Sequence, residues 1–163
     1  RCSRPVNPLF TITPYFENVQ NKVVVVRVSI QGNYPAEEFA NDVKIIFQCP
    51  VEISSASCEL PSSVQDTQTS SFNSKTRQVT WTIKKFVGLN EFSGRFRFIF
   101  DNGIPCKPES ILGPISLEFT HVGNLISGMS IKNFVVSTSG SQQQPKRWLK
   151  EMTTADCYTF NFI

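Results

Sequence analysis

The sequence predicts an all-β fold, an antiparallel sandwich, and three observations carry that reading. Fourteen Phe among 163 residues, with Val and Ile plentiful and Ala and Leu modest, favour strands, because aromatic and β-branched side chains pack well on a pleated surface. Short runs alternate apolar and polar residues with a period of two, the mark of antiparallel strands buried on one face. Turn-forming clusters separate these runs at strand-like spacing, so about seven or eight strands are expected. At 40% hydrophobic and 18% charged residues, the chain has enough apolar material for the core of one ordinary domain.

The elements follow in order. Leu9 to Phe16 opens the series after two prolines. Lys22 to Ile30 sets Val24, Val26, Val28 and Ile30 on one face, and Val23, Val25, Arg27 and Ser29 on the other. Asp42 to Gln48 alternates Val43, Ile45 and Phe47 against Lys44 and Ile46, and Arg77 to Lys84 turns Val79, Trp81 and Ile83 inward. In Arg95 to Phe100 the three Phe at 96, 98 and 100 face away from Arg95 and Arg97. Ile115, Leu117 and Phe119 repeat the pattern, and Ile131 to Val136 is a further apolar run. The best helical candidate is Pro35 to Ala40, with Pro35 at the first position and Glu37 and Glu38 in the first turn. Ser62–Ser74, Asp101–Gly113 and Ser137–Pro145 read as polar loops.

Composition narrows function by exclusion. A net charge of +3 calls for neither nucleic acid nor an acidic membrane and reads as a mildly basic solvated surface. Cys2, Cys49, Cys58, Cys106 and Cys157 form no CxxC pair, so they outline neither a zinc site nor a regular disulfide framework. A Cys49–Cys58 bridge fits the spacing, but reduced thiols of a cytosolic chain are the better reading. The odd cysteine count and the lack of any Asn-x-Ser/Thr sequon both argue against an extracellular immunoglobulin-like binding domain. No apolar run approaches the length of a membrane span, so a soluble chain is expected. Arg1-Cys2-Ser3-Arg4 opens it without an initiator Met, as a piece of a longer protein would.

Catalytic patterns are missing as well. The single histidine, His121, at a strand end, reads as a packing or surface residue, because triads and general-base schemes need partners placed around it. Gly123 and Gly128 have phosphate-loop spacing, but Met129 stands where that loop needs Lys. The scattered acids do not form a calcium loop, and Glu37 and Glu38, adjacent on a helix, would not face each other. Arg95-Phe96-Arg97-Phe98 could stack on bases only if the rings shared the arginines' face, and alternation puts them opposite. It is therefore read as a core strand with two solvated arginines. Lys84 and Lys85 are an edge pair of the kind that touches anionic lipid or simply water. No enzyme, cofactor, metal site or nucleic-acid partner is expected.

Four collinear segments carry a more specific signal. Asn41-Asp42-Val43-Lys44-Ile45 runs on to Pro50, and Trp81-Thr82-Ile83-Lys84-Lys85-Phe86-Val87-Gly88 continues to Glu91. Ile126-Ser127-Gly128-Met129-Ser130-Ile131 follows, and then Arg147-Trp148-Leu149-Lys150 with Tyr158 ten residues beyond Trp148. This order resembles the mu homology domain of clathrin-adaptor medium (mu) subunits, nearly over the whole chain and most specifically in its C-terminal part. The resemblance implies an elongated domain of two β-sandwich subdomains, one inserted into the other. Residues 5–126 would form the inserted, immunoglobulin-like sandwich. Residues 127–163 would be the C-terminal strands of the neighbouring subdomain, whose early strands have no counterpart here.

Function by resemblance is that of a vesicle-coat adaptor subunit, a cytoplasmic protein peripheral on Golgi, endosomal or plasma membranes, working with other adaptor-complex subunits in intracellular transport. The alternative is a mu-like endocytic scaffold that recruits coat proteins without reading Tyr-x-x-phi signals. In the family, cytoplasmic tails of membrane cargo add as an extended strand to a sheet edge, with pockets for the Tyr and the bulky apolar residue. Carried over by position, Trp148, Leu149 and Lys150, preceded by Arg147, match that edge, and Ile131 and Phe134 match the apolar pocket. Lys150 stands where an Arg usually stacks on the cargo tyrosine, and an ammonium has no planar face to offer. The acidic partner of that tyrosine belongs to the early strands, so the chain alone is expected to bind such peptides poorly. Some members also hold phosphoinositides with a lysine cluster ahead of the Trp81-like residue. Here Ser70 to Gln78 offers only Lys75 and Arg77, with Lys84 and Lys85 beyond, too few for useful membrane attraction.

Overall fold

Where alternation predicts an inward face, the side chains are buried. In the computed structural model Val24, Val26, Val28, Ile30, Val43, Ile45, Trp81, Ile83, Phe98, Ile115 and Leu117 have no exposed surface. The structure describes residues 8–64, 66–104, 112–123, 125, 136–138, 141–143 and 150–161. Among these it has eleven strands, one short 3-10 turn at Ser62–Val64 and no α-helix. The strands are β1 (Phe10–Gln20), β2 (Val23–Gly32), β3 (Phe39–Gln48), β4 (Ile53–Glu59), β5 (Gln68–Asn73), β6 (Gln78–Val87), β7 (Glu91–Phe100), β8 (Ile115–Val122), β9 (Val136–Thr138), β10 (Ser141–Gln143) and β11 (Met152–Phe160).

They form a four-stranded sheet in the order β1-β2-β7-β4 and a five-stranded sheet in the order β11-β8-β3-β6-β5, with β9 and β10 as a separate hairpin. Every ladder is antiparallel. Aromatic side chains join the two sheets across the core. Phe10 of β1 packs edge-on against Phe119 of β8 at 5.0 Å and Phe86 of β6 at 5.3 Å, and Phe96 of β7 meets Phe47 of β3 at 4.8 Å. Such pairs add about 0.5–1.5 kcal/mol each beyond the area they bury. Trp81 lies fully inside, and its indole N–H donates to Oε1 of Gln68 at 3.1 Å.

Several expectations are corrected. Pro35 to Ala40 makes one hydrogen-bonded turn, the Glu38 amide donating to the Pro35 carbonyl at 3.0 Å, and β3 has begun at Phe39. The sheet needs Ala40 on its inner face, which leaves no room for a second helical turn. Ser62–Ser74 holds the 3-10 turn and β5, an edge strand whose inward positions are Gln68, Ser70 and Phe72, so its alternation is mostly polar and hidden from a hydrophobic pattern. Ser137–Pro145 contains most of the β9–β10 hairpin. β4 has the same disguise, with Ser, Ala and Cys filling most of its length. Most of Asp101–Gly113 and of the apolar run Ile131 to Val136 lies outside the described residues.

β11 adds to the edge of the five-stranded sheet through β8, pairing Met152 with Val122 and Phe160 with Ile115, with a bulge between Ala155 and Tyr158. The residues about the expected subdomain boundary at Ile126 lie outside the described set.

Candidate functional site

Of the residues expected to receive a peptide, Ile131, Phe134, Arg147, Trp148 and Leu149 lie outside the described residues. Lys150 is described, exposed, two residues ahead of β11. Among the described residues the strand it leads into stands at the edge of the sheet, the position to which an extended peptide can add. The same strand carries exposed Met152 and partly exposed Tyr158, whose ring stands 5.1 Å from Phe160 and 6.4 Å from Phe119.

The four basic residues weighed as lipid contacts do not converge. Lys75 sits in the β5–β6 turn, held by Asn73, whose Oδ1 accepts from the amides of Lys75 and Thr76. Arg77 has a left-handed backbone (φ 55°) and turns its guanidinium onto the Ile53 carbonyl. At the far end of β6, Lys84 donates to the Asp66 carbonyl at 2.9 Å and Lys85 lies over the Phe39 ring at 4.7 Å. A headgroup site needs several uncommitted cations side by side, and three of these four are already occupied within the fold.

A charged arrangement that sequence reading missed lies on the outer face of the four-stranded sheet. The register puts Tyr15, Arg27, Arg95 and Glu59 in one row across β1, β2, β7 and β4. Glu17 follows Tyr15 on this face by alternation, and a bulge between Phe16 and Asn18 leaves it unpaired in the ladder and turns Asn18 and Gln20 to the same side. The Glu17 carboxylate takes one arginine on each oxygen: Arg27 Nε donates to Oε1 at 2.7 Å and Arg95 Nε to Oε2 at 2.6 Å. Those hydrogen bonds, Arg95 first, hold the Glu17 carboxyl below its usual range. Arg95 also donates through Nη1 to Glu59 at 2.8 Å, so it is not the solvated arginine that alternation suggested. Arg97, one outward position further along β7, is exposed and has no ion pair or hydrogen bond through its guanidinium among the described residues. The outward placement of Arg27, Arg95 and Arg97 was legible. The register that sets Arg27 beside Arg95, and the extension of β1 past Phe16 that brings in Glu17, were not.

His121 is fully buried and faces inward from β8. Its Nε2 stands 3.0 Å from Oε2 of Glu38, and its ring lies 4.6 Å from that of Tyr34, whose hydroxyl donates to the Phe86 carbonyl at 2.9 Å. Burial pushes the His121 pKa down, with Glu38 pulling the other way. Tyr34, Glu38 and His121 are all buried, as packing residues are. Among the described residues no group of three or more His, Cys, Asp or Glu could hold a metal ion. Cys49, Cys58 and Cys157 are free thiols, so the Cys49–Cys58 bridge is not formed.

Comparison with known proteins decides the family. The sequence profile of the adaptor complexes medium subunit family matches residues 1–162. The chain belongs to that family. It is 25% identical over 158 residues to the AP-4 complex subunit mu of Arabidopsis thaliana, covering 97% of this chain and 35% of that protein. It is 26% identical over 162 residues to the AP-1 complex subunit mu-2 of Homo sapiens, covering 97% of this chain and 36% of that protein. The chain thus spans about a third of the length of these medium subunits. Among solved structures, the mu homology domain of Danio rerio Fcho1, with bound Eps15 peptide, aligns with a TM-score of 0.52 at 12% identity, over 74% of this chain and 40% of that one. The medium-subunit chain therefore has the all-β sandwich fold of mu homology domains.

Proposed function

We propose that this medium-subunit chain is a non-catalytic, cargo-sorting part of a vesicle-coat adaptor complex, held with the other subunits of that complex at the cytoplasmic face of a membrane. The observation that carries the reading is the unbroken family match over residues 1–162, on a sandwich of the mu homology kind. In this reading residues 5–126 are the sandwich subdomain and residues 127–163 the closing strands of a neighbouring one, docked to it along β8. The extended tail of a membrane cargo protein would add beside Trp148, Leu149 and Lys150, with Arg147 ahead of them and Ile131 and Phe134 forming the apolar pocket. Lys150 favours weak tyrosine recognition, since it gives a point charge where a stacked guanidinium would serve better. That feature also supports the second reading, a scaffold that recruits coat proteins and does not read Tyr-x-x-phi signals.

Calorimetric titration with a Tyr-x-x-phi peptide and its Tyr-to-Ala control tests the proposal. Weak, tyrosine-dependent binding that tightens in Lys150→Arg is expected. Tight binding by the unaltered chain overturns the assignment of Lys150. No tyrosine dependence in either protein overturns the sorting reading in favour of the scaffold.

A further inference from the structure

The outer face of β1, β2 and β7 already recognises one carboxylate. Glu17 is gripped between Arg27 and Arg95, and the Arg95–Glu59 pair forms a ridge beside it. Next to this ridge is a depression of about 210 Å³ lined by Asn18, Gln20, Val23, Val25, Arg95 and Arg97, with Glu59 at its wall. Its floor is apolar, Val25 being only 7% exposed although it points away from the core. Carboxamides stand on the β1 side and the unpaired guanidinium of Arg97 on the β7 side. A carboxylate entering there on the β7 side, away from Glu59, would meet the Arg97 guanidinium, a donor of the kind that holds Glu17, while its aliphatic stem would rest on valine. In the Arg27 row, Tyr15 of the edge strand projects into solvent, 67% exposed. Tyr and Arg are, with Trp, the residues enriched among those that dominate protein interfaces.

We propose that this face is a docking surface for an extended acidic segment of a partner protein, with Arg97 taking a carboxylate in the valine-floored depression and Tyr15 packing against an apolar neighbour in the segment. The charge pattern favours a peptide over a membrane. Arg27 and Arg95 are neutralised by Glu17 and Glu59, which leaves one uncompensated cation in a recess, whereas attraction to anionic lipid needs a cluster of about four to eight. The surface shares no residue with the expected sorting-signal site, so it stands or falls separately from that reading.

The test uses the whole chain and a capped peptide of repeated Asp-Glu-Leu units, followed by amide chemical shifts. Saturable shifts are expected on β1, β2 and β7 around Asn18, Val25 and Arg97, weakening as salt rises. Arg97→Gln should lower the affinity about fivefold or more, the loss of one charge-assisted contact. Arg97→Lys should keep part of it, and Lys85→Gln, on the other sheet, should keep all of it. An Asn-Gln-Leu peptide should not bind. The proposal is overturned by absent or misplaced shifts, or by equal affinity in Arg97→Gln. It is also overturned if the peptide fails while vesicles of phosphatidylserine and phosphoinositide bind in an Arg97-dependent way, which would assign the face to lipid.

Discussion

Nε2 of His121 and Oε2 of Glu38 stand 3.0 Å apart where β8 passes beneath the turn that leads into β3. The pair ties two segments far apart in sequence, and Gly123 leaves room for it, since a Cβ there would come within 2.3 Å of the Glu38 carboxylate and push it aside.

Stability should therefore fall on mild acidification. The His121 pKa is lowered chiefly by burial, so below the unfolded value of about 6.5 the unfolded chain binds more protons than the folded one. The contribution is fully present above that value and is lost as pH falls toward the depressed folded value. Urea midpoints between pH 8 and 5 check this. A His121→Gln chain should show a flatter profile over the same interval, and a midpoint that rises on acidification would contradict the assignment.

Two adjacent residues in the β6–β7 turn should respond with opposite signs. A Cβ at Gly88 would lie 2.0 Å from the Pro35 carbonyl oxygen and 2.3 Å from that of Tyr34, backbone atoms that no rotamer change can move. Gly88→Ala should cost about 1–3 kcal/mol. Leu89 is held left-handed (φ 60°) while its amide N–H donates to the Gly32 carbonyl at 3.1 Å, with its side chain in solvent. Leu89→Gly should gain up to about 1 kcal/mol by relieving that conformation. Thermal midpoints of the two variants, moving apart, verify the turn.

Trp81 should be the costliest side chain to truncate in the five-stranded sheet. It is fully buried, so Trp81→Ala should lose about 3–5 kcal/mol. Trp81→Phe keeps one aromatic ring but leaves a smaller void and strips the buried Gln68 carbonyl of its donor, so its loss should fall between that of Trp81→Ala and the about 1–3 kcal/mol of an unpaired buried acceptor. Equilibrium unfolding distinguishes the two steps.

Thiol reactivity should divide by burial. Desolvation pushes the thiols of Cys49 and Cys58 up to about 11, whereas Cys157 is exposed on the edge strand. Brief maleimide treatment at neutral pH, read by peptide mass mapping, should label Cys157 well ahead of Cys49 and Cys58. Comparable labelling of Cys49 would mean that the core opens readily.

The strands with apolar inward faces were legible in the chain itself. A period of two in β2, β3, β6, β7 and β8 states which residues leave water, and burial follows that pattern at Val24, Ile45, Trp81, Phe98 and Leu117. The medium-subunit resemblance was legible too, since it rests on the order of short motifs. β4 and β5 were not, because small or polar residues (Ala56 and Cys58 in β4, Gln68 and Ser70 in β5) interrupt the apolar pattern of their inward faces, and such residues bury only where a neighbour supplies a hydrogen bond or a gap of the right size. Nor was the charged face. Alternation alone places Arg95 and Arg97 in the same solvent. The cross-strand register is a long-range outcome of packing the whole sheet, and it pairs Arg95 with two carboxylates while leaving Arg97 over a floor of valines.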